Sequence, residues 1–148
     1  MGHQSQPLTF YPFSLMNFAS VRVITADIDR LLPFYEQVTG LPATRFTPDF
    51  AELRTPTATL AIGSTRTLQF EGGQGARAAS NQSAILEFRV ADVDAEYQKL
   101  TEALGDSVVQ APTTMPWGNR SFLFRDPDGN LVNFFAPVTP ESIQRFDG

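Results

Sequence analysis

The sequence predicts an α+β fold in which a β-α-β-β-β module occurs twice and forms a curved mixed sheet. The first observation is a repeat: Ala-Asp-Ile-Asp at 26–29 returns as Ala-Asp-Val-Asp at 91–94, a shift of 65 residues. The same shift brings Gly40 onto Gly105. The second observation is that each copy reads as an alternating strand, a turn and a helix closed by glycine. Two such modules form their functional surface between them, so candidate functional residues are sought at equivalent positions of the two copies.

In the first module, the alternation of apolar and polar residues from 19 to 25 predicts a strand. Asp27 is a suitable N-cap for the helix that follows, and Gly40 ends that helix. Pro33 must lie in the first turn of the helix or kink it, because proline lacks the amide hydrogen. Three more strands are expected at about 43–47, 50–55 and 58–63, the last with an extension through Leu68 and Phe70.

The second module repeats this order with a strand at 84–90 and a helix near 94–104. Its clearest feature is a hairpin at 120–136, whose turn reads Asp-Pro-Asp-Gly-Asn at 126–130. Proline presets φ at one turn position and glycine supplies positive φ at another, so both aspartates are interpreted as turn residues. Thr139 then caps a short terminal helix.

The segment 72–82 is small, polar and rich in glycine, so it is interpreted as the linker between the modules. The aromatic residues Phe10, Tyr11 and Phe13 predict that the N-terminal leader packs on the domain. The expected organisation is a leader at 1–17, one domain at 18–137 with modules at about 18–71 and 83–137, and a short C-terminal helix within 138–148.

The composition excludes several kinds of site. None of the 148 residues is Cys, and the only His, His3, lies in the leader. The domain therefore offers no thiolate or histidine metal ligand, no Ser-His-Asp triad and no histidine base. A net charge of −5 disfavours nucleic acid and anionic membranes as partners. No apolar run reaches the roughly 20 residues of a membrane span, and no secretory signal is visible, so we expect a cytoplasmic protein.

Several motifs together resemble the vicinal oxygen chelate superfamily, the group of glyoxalases, bleomycin resistance proteins and extradiol dioxygenases. Within the two modules these motifs are Phe34-Tyr35 in a helix ending at Gly40-Leu41, the Trp117-Gly118 loop, and Phe-Arg-Asp-Pro-Asp-Gly-Asn at 124–130. The resemblance covers about residues 18–137 and implies that family's fold. It leaves the function open, because one fold hosts several chemistries.

In metal-using members of that family, each module supplies two ligands from its first and last strands. The positions that the resemblance matches to these ligands are Ser20, about Ala61, Ile85 and Asn133. Ile and Ala offer no lone pair, and Ser and Asn are weak neutral ligands. The resemblance therefore implies the fold without its usual metal, and we expect no metal and no other cofactor.

The strand face that holds the metal in relatives remains the candidate ligand site. Alternation gives it a mostly apolar character with a few polar groups, as in small-molecule pockets. Arg22 and Glu87 occupy matching positions in the two copies, so they either pair with each other or orient a ligand. Glu87 is also the candidate general base, provided that burial raises its pKa. The whole face comprises Ser20, Arg22, Thr59, Ala61, Ile85, Glu87, Leu131, Asn133 and Phe135.

Trp117 completes this site, because its loop closes over the ligand in relatives. Trp117 and Phe135 are expected to stack on the ligand, and Asn133 to form a hydrogen bond with it. The predicted ligand-binding residues are Ser20, Arg22, Ile85, Glu87, Trp117, Asn133 and Phe135.

Three functions are compatible with this face. The preferred one is a metal-free binding protein, similar to the bleomycin-resistance branch, that sequesters an antibiotic or an aromatic metabolite. The second is a metal-dependent enzyme, such as a lyase, isomerase or dioxygenase, with an unusual ligand set of Glu87 with Glu52 or Glu71. The third is a metal-free enzyme in which Glu87 or Asn133 transfers a proton or stabilises an oxyanion.

The expected partners are a hydrophobic or aromatic small molecule and a second copy of the chain. A homodimer is predicted because the modules leave sheet edges open and the linker at 72–82 permits their exchange.

Overall fold

The structure is a computed structural model that describes residues 16–71 and 75–148, apart from the side chains of 69–71. His3, and the predicted packing of Phe10, Tyr11 and Phe13, lie outside the described residues.

The chain forms two β-α-β-β-β modules followed by a short helix, as predicted. The first module comprises β1 (Ser20–Thr25), α1 (Ile28–Thr39), β2 (Thr44–Thr47), β3 (Phe50–Arg54) and β4 (Thr59–Ser64). The second module comprises β5 (Ile85–Arg89), α2 (Val93–Leu104), β6 (Val108–Thr114), β7 (Asn119–Arg125) and β8 (Leu131–Pro137). The short terminal helix is α3 (Pro140–Asp147).

The predicted strand extension through Leu68 and Phe70 is wrong, because Thr65–Glu71 is a 3₁₀ helix. Short-range side-chain hydrogen bonds account for the turn of the backbone. The Thr67 hydroxyl donates to the Ser64 carbonyl at 2.7 Å, and the Arg66 amide donates to the Ser64 hydroxyl at 3.2 Å. Such local bonds compete with strand pairing.

The starts of α1 and α2 differ although their sequences repeat. Asp27 occupies the N-cap position of α1 without a capping bond from its side chain, whereas the Asp92 carboxylate accepts a bond from the Ala95 amide at 3.0 Å. Pro33 lies in the second turn of α1, beyond the predicted first turn, and the helix continues to Thr39. Asp29, one turn earlier, is exposed, so water can satisfy the carbonyl group that Pro33 leaves without a donor.

Each module has its own four-stranded mixed sheet, as predicted. The strand orders are the same, β1-β4-β3-β2 and β5-β8-β7-β6, with the first and last strands of each module parallel. Arg22 pairs with Ala61 in the first sheet and Glu87 pairs with Asn133 in the second. Because Arg22 and Glu87 correspond in the repeat, Ala61 and Asn133 are equivalent positions, as the family resemblance implied.

A buried hydrogen bond joins the two modules. The Tyr35 hydroxyl of α1 donates to Asp126 Oδ2 at 2.5 Å, across the core. Asp126 Oδ1 accepts from the amides of Asp128 (2.8 Å) and Asn130 (2.9 Å), and Oδ2 also accepts from the Asn130 side chain at 2.7 Å. Burial, and then the charge of Asp126, raise the pKa of Tyr35 far above its ordinary value, so its hydroxyl remains a donor. The assignment of Asp126 to the turn is confirmed, and the residue also anchors α1.

Candidate functional site

The two sheets bury one face against α1 and α2 and turn the other face away from them. We call the second face the distal face. Its residues alternate along the strands with core residues such as Val23, Leu86 and Phe134. The distal face contains the predicted set of Ser20, Arg22, Thr59, Ala61, Ile85, Glu87, Leu131, Asn133 and Phe135.

Two clefts open between β1 and β5, which are edge strands of their respective sheets. The β5 cleft has a volume of about 370 Å³ and is lined by residues 85–89, by Val21 and Leu60, and by the turn at 55–59. The linker cleft has a volume of about 340 Å³ and is lined mainly by residues 21–24 and by linker residues between 76 and 81. Both volumes lie within the range of small-molecule pockets, about 300–1,000 Å³.

Glu87 lines the β5 cleft and is hydrogen-bonded to Asn133, which lies behind it and does not line the cleft. Asn133 is only 7% exposed, and its Nδ2 donates to Glu87 Oε2 at 2.9 Å. Its Oδ1 is buried and has no hydrogen-bond partner within the described part of the chain. Glu87 itself is exposed and lines the cleft. The exposed carboxylate of Glu87, fixed on one side by Asn133, can therefore accept a further hydrogen bond from a molecule in the cleft.

Arg22 and Glu87 form no ion pair within residues 16–68 and 75–148. Of the two roles considered for them, pairing with each other is therefore not found. Arg22 lines the linker cleft, and Glu87 lines the β5 cleft. The Arg22 stem extends over Gly63, where its Cδ lies 3.5 Å from the position that a Cβ would occupy. The burial of Glu87 that the general-base hypothesis requires is also not found, because this side chain is exposed.

The C-terminal helix covers one end of the distal face in the second sheet. The ring of Phe146 packs on Phe135 with centroids 5.4 Å apart, and Arg89 donates to both carboxylate oxygens of Asp147 at 2.8 and 2.9 Å. This contact lowers the pKa of Asp147, chiefly through the hydrogen bonds from Arg89. At the other end of α3, the Ser142 hydroxyl donates to the Gly118 carbonyl at 2.8 Å. Phe135 is therefore covered by Phe146 and is not available to stack on a ligand while α3 is docked.

The predicted ligand-binding residues are only partly brought together. Ile85 and Glu87 line the β5 cleft, Arg22 lines the linker cleft, and Asn133 is one hydrogen bond away from Glu87. Trp117 is 57% exposed on the loop between β6 and β7 and lines neither cleft. The two remaining predicted residues, Ser20 and Phe135, also line neither cleft.

The sequence analysis missed two segments that line the clefts, the turn at 55–59 and the linker residues between 76 and 81. Their composition, rich in Thr, Pro and small residues, indicated turns but carried no sign of a binding site.

The residues matched to the family's metal ligands do not fit a divalent metal. Ser20 offers a neutral hydroxyl, Ala61 and Ile85 offer no donor, and the Asn133 amide is already bonded to Glu87. Over the described residues, no three His, Cys, Asp or Glu side chains come together. The alternative ligand Glu52 is bound by Arg54 at 2.8 Å, and the side chain of Glu71 lies outside the described part of the chain. These side chains therefore do not provide the ligands that a catalytic metal ion would need at these positions.

In the described part of the chain, no helix combines the length and apolar character that a bilayer span requires.

The chain matches the family model of the Glyoxalase/Bleomycin resistance protein/Dioxygenase superfamily over residues 17–134. A glyoxalase/bleomycin resistance protein/dioxygenase from Nocardioides is 22% identical, with a TM-score of 0.69, over 90% of this chain and 95% of its own. A family enzyme from Burkholderia phytofirmans PsJN is 22% identical, with a TM-score of 0.70, over 83% of this chain and 100% of its own. A glyoxalase-related enzyme from Fulvimarina pelagi is 20% identical, with a TM-score of 0.68, over 85% and 94%. No curated protein matches the chain.

At these identities the solved structures are similar in fold alone. The family model, in contrast, covers both modules from β1 into β8. The chain therefore belongs to the glyoxalase/bleomycin resistance protein/dioxygenase superfamily.

Proposed function

We propose that this protein binds a hydrophobic or aromatic small molecule without a metal and sequesters it, as an antibiotic or an aromatic metabolite. The observation that supports this function is the β5 cleft. Its walls include the apolar side chains of Val21, Leu60, Ile85 and Phe88, and its polar groups include Glu87. An apolar cavity with few polar groups is typical of sites that hold small molecules.

A metal-free enzyme of the same superfamily is the second candidate. The placement of Glu87 supports it, since its carboxylate is held by Asn133 at 2.9 Å and lines the cleft, within reach of a bound compound. Sequestration and catalysis differ in turnover. Prolonged incubation of the protein with a bound compound leaves that compound unchanged in the first case and converts it in the second.

Native mass spectrometry of protein purified without chelators tests the oligomeric state, the bound ligand and the metal content together. We expect a homodimer, a retained organic ligand and no bound divalent metal. One Zn, Fe, Mn or Ni per chain would overturn the metal-free proposal, and a monomer at tens of micromolar would overturn the dimer.

The cytoplasmic location expected from the sequence stays a prediction.

Blocking the β5 cleft is expected to weaken binding of a neutral aromatic probe, 2-naphthylmethanol. Ile85→Arg places a long charged side chain in the cleft and should weaken binding by at least about tenfold, or 1.4 kcal/mol, in isothermal titration calorimetry. Val109→Arg is the matched control, because Ile85 and Val109 are similarly exposed, at 46% and 51%, and Val109 lies on β6 outside both clefts. Equal affinity in both variants would contradict the proposed location.

Trp117→Ala is expected to change the free energy of unfolding by no more than about 0.5 kcal/mol, because the ring is largely exposed. Urea denaturation measures this change. The same variant defines the extent of the site: a tenfold loss of probe affinity, as the sequence predicts, extends it to the loop between β6 and β7. An unchanged affinity confines the site to the clefts.

A further inference from the structure

We propose that the ligand of the β5 cleft is a cation, a protonated amine on an apolar body, and that Glu87, held in place by Asn133, binds its ammonium group. This inference rests on the proposed function and narrows it to one chemical class.

The charges around the cleft support a cation. Among the described residues, two charged side chains line the β5 cleft, Glu87 and Arg89. The Arg89 guanidinium is neutralised by two hydrogen bonds to Asp147. Glu87 has no ion-pair partner within the described residues, so its charge is the one that a ligand would balance.

The hydrogen bonds support the same class of ligand. Glu87 accepts one bond from Asn133, and its other oxygen has no bond within the described residues. An ammonium group carries three donors and no acceptor, so it suits the free oxygen of this carboxylate. Charge-assisted bonds of this kind are stronger than those between neutral groups.

The walls of the cleft define the rest of the ligand. Val21, Leu60, Ile85 and Phe88 are apolar, and Pro56 belongs to the turn that closes one side. Arg22 is a cation of the distal face that has no ion-pair partner among the described residues, and it lines the linker cleft, not the β5 cleft. The ligand is therefore an amphipathic amine whose body lies in the β5 cleft.

Three probes with the same aromatic body test the inference: 2-naphthylmethylamine, 2-naphthylmethanol and 2-naphthoate. In calorimetric titrations of the full chain at pH 7, we expect the amine to bind at least about tenfold more tightly than the alcohol. The carboxylate should bind most weakly. Glu87→Gln keeps the side-chain volume and should reduce the preference for the amine to less than about twofold. Glu102→Gln, an equal change of charge at an exposed position on α2, should preserve the preference.

Backbone amide chemical shifts locate each probe and separate the two proposals. If all three probes bind equally and shift the amides of residues 85–89, the proposed function stands and the cation inference is overturned. Tighter binding of the carboxylate also overturns the inference and favours Arg22 as the anchor. If no probe shifts these amides, both proposals fail.

Discussion

Asp126→Ala is expected to lower the free energy of unfolding by about 3–5 kcal/mol. The carboxylate is buried and accepts four hydrogen bonds, from Tyr35, the Asp128 amide, and the amide and side chain of Asn130. Its removal leaves these donors without an acceptor, three of them in buried bonds, and each buried group of this kind costs about 1–3 kcal/mol. Urea denaturation followed by circular dichroism measures the loss.

Two further variants test the cause of this effect. Tyr35→Phe removes one donor together with its bond and should cost only about 1–2 kcal/mol. The double variant should cost less than the sum of the two single variants, because the residues are in direct contact. Asp106→Ala, at an exposed position, should change stability by less than about 0.5 kcal/mol. Strict additivity of the Tyr35 and Asp126 effects would contradict a link between the modules through this bond.

Gly118→Ala is expected to cost about 2–4 kcal/mol and to release α3 from the distal face. Gly118 has φ of 96°, and a Cβ there would collide with Thr139 Oγ1 and approach Ser142 Cβ to 2.8 Å. Both residues belong to the N-terminal cap of α3, in which the Thr139 hydroxyl accepts from the Ser142 amide at 3.2 Å. The variant therefore strains the loop and displaces the cap. Hydrogen exchange across residues 140–147 should become faster.

Gly40→Ala is the matched control for this substitution. Gly40 also has positive φ, 71°, but no atom lies within 4 Å of the position of its missing Cβ. This variant should cost about 1 kcal/mol from backbone strain and leave exchange in α3 unchanged. If the two alanine variants lose the same stability, the close approach at Gly118 contributes nothing.

The local elements could be predicted from the sequence because each has a short-range physical cause. Alternation predicted β1 and β5, and the glycines at 40 and 105 predicted the ends of α1 and α2. The repeat also aligned Arg22 with Glu87, and the strand registers then gave the equivalence of Ala61 and Asn133. These features depend on spacing along the chain, which a single sequence contains.

The site could be predicted only in part, because it depends on contacts between distant segments. Alternation placed Glu87 and Asn133 on one face, but the bond between them depends on the register of β5 and β8. Phe135 is covered by α3. The sequence predicted this helix but not where it packs on the domain. Trp117 followed from the family resemblance, and its exposure reflects the particular packing of its loop against α3.

The bond between Tyr35 and Asp126 also has a consequence for synthesis of the chain. The two residues are 91 positions apart, so α1 leaves the ribosome long before its acceptor has been made. Phe34 of α1 likewise packs on Phe124, which is translated late. The amino-terminal module must wait with part of its apolar surface exposed, since contacts of such long range close late in folding. Despite their repeated sequence, the two modules are expected to fold as one cooperative unit once nearly the whole chain has emerged.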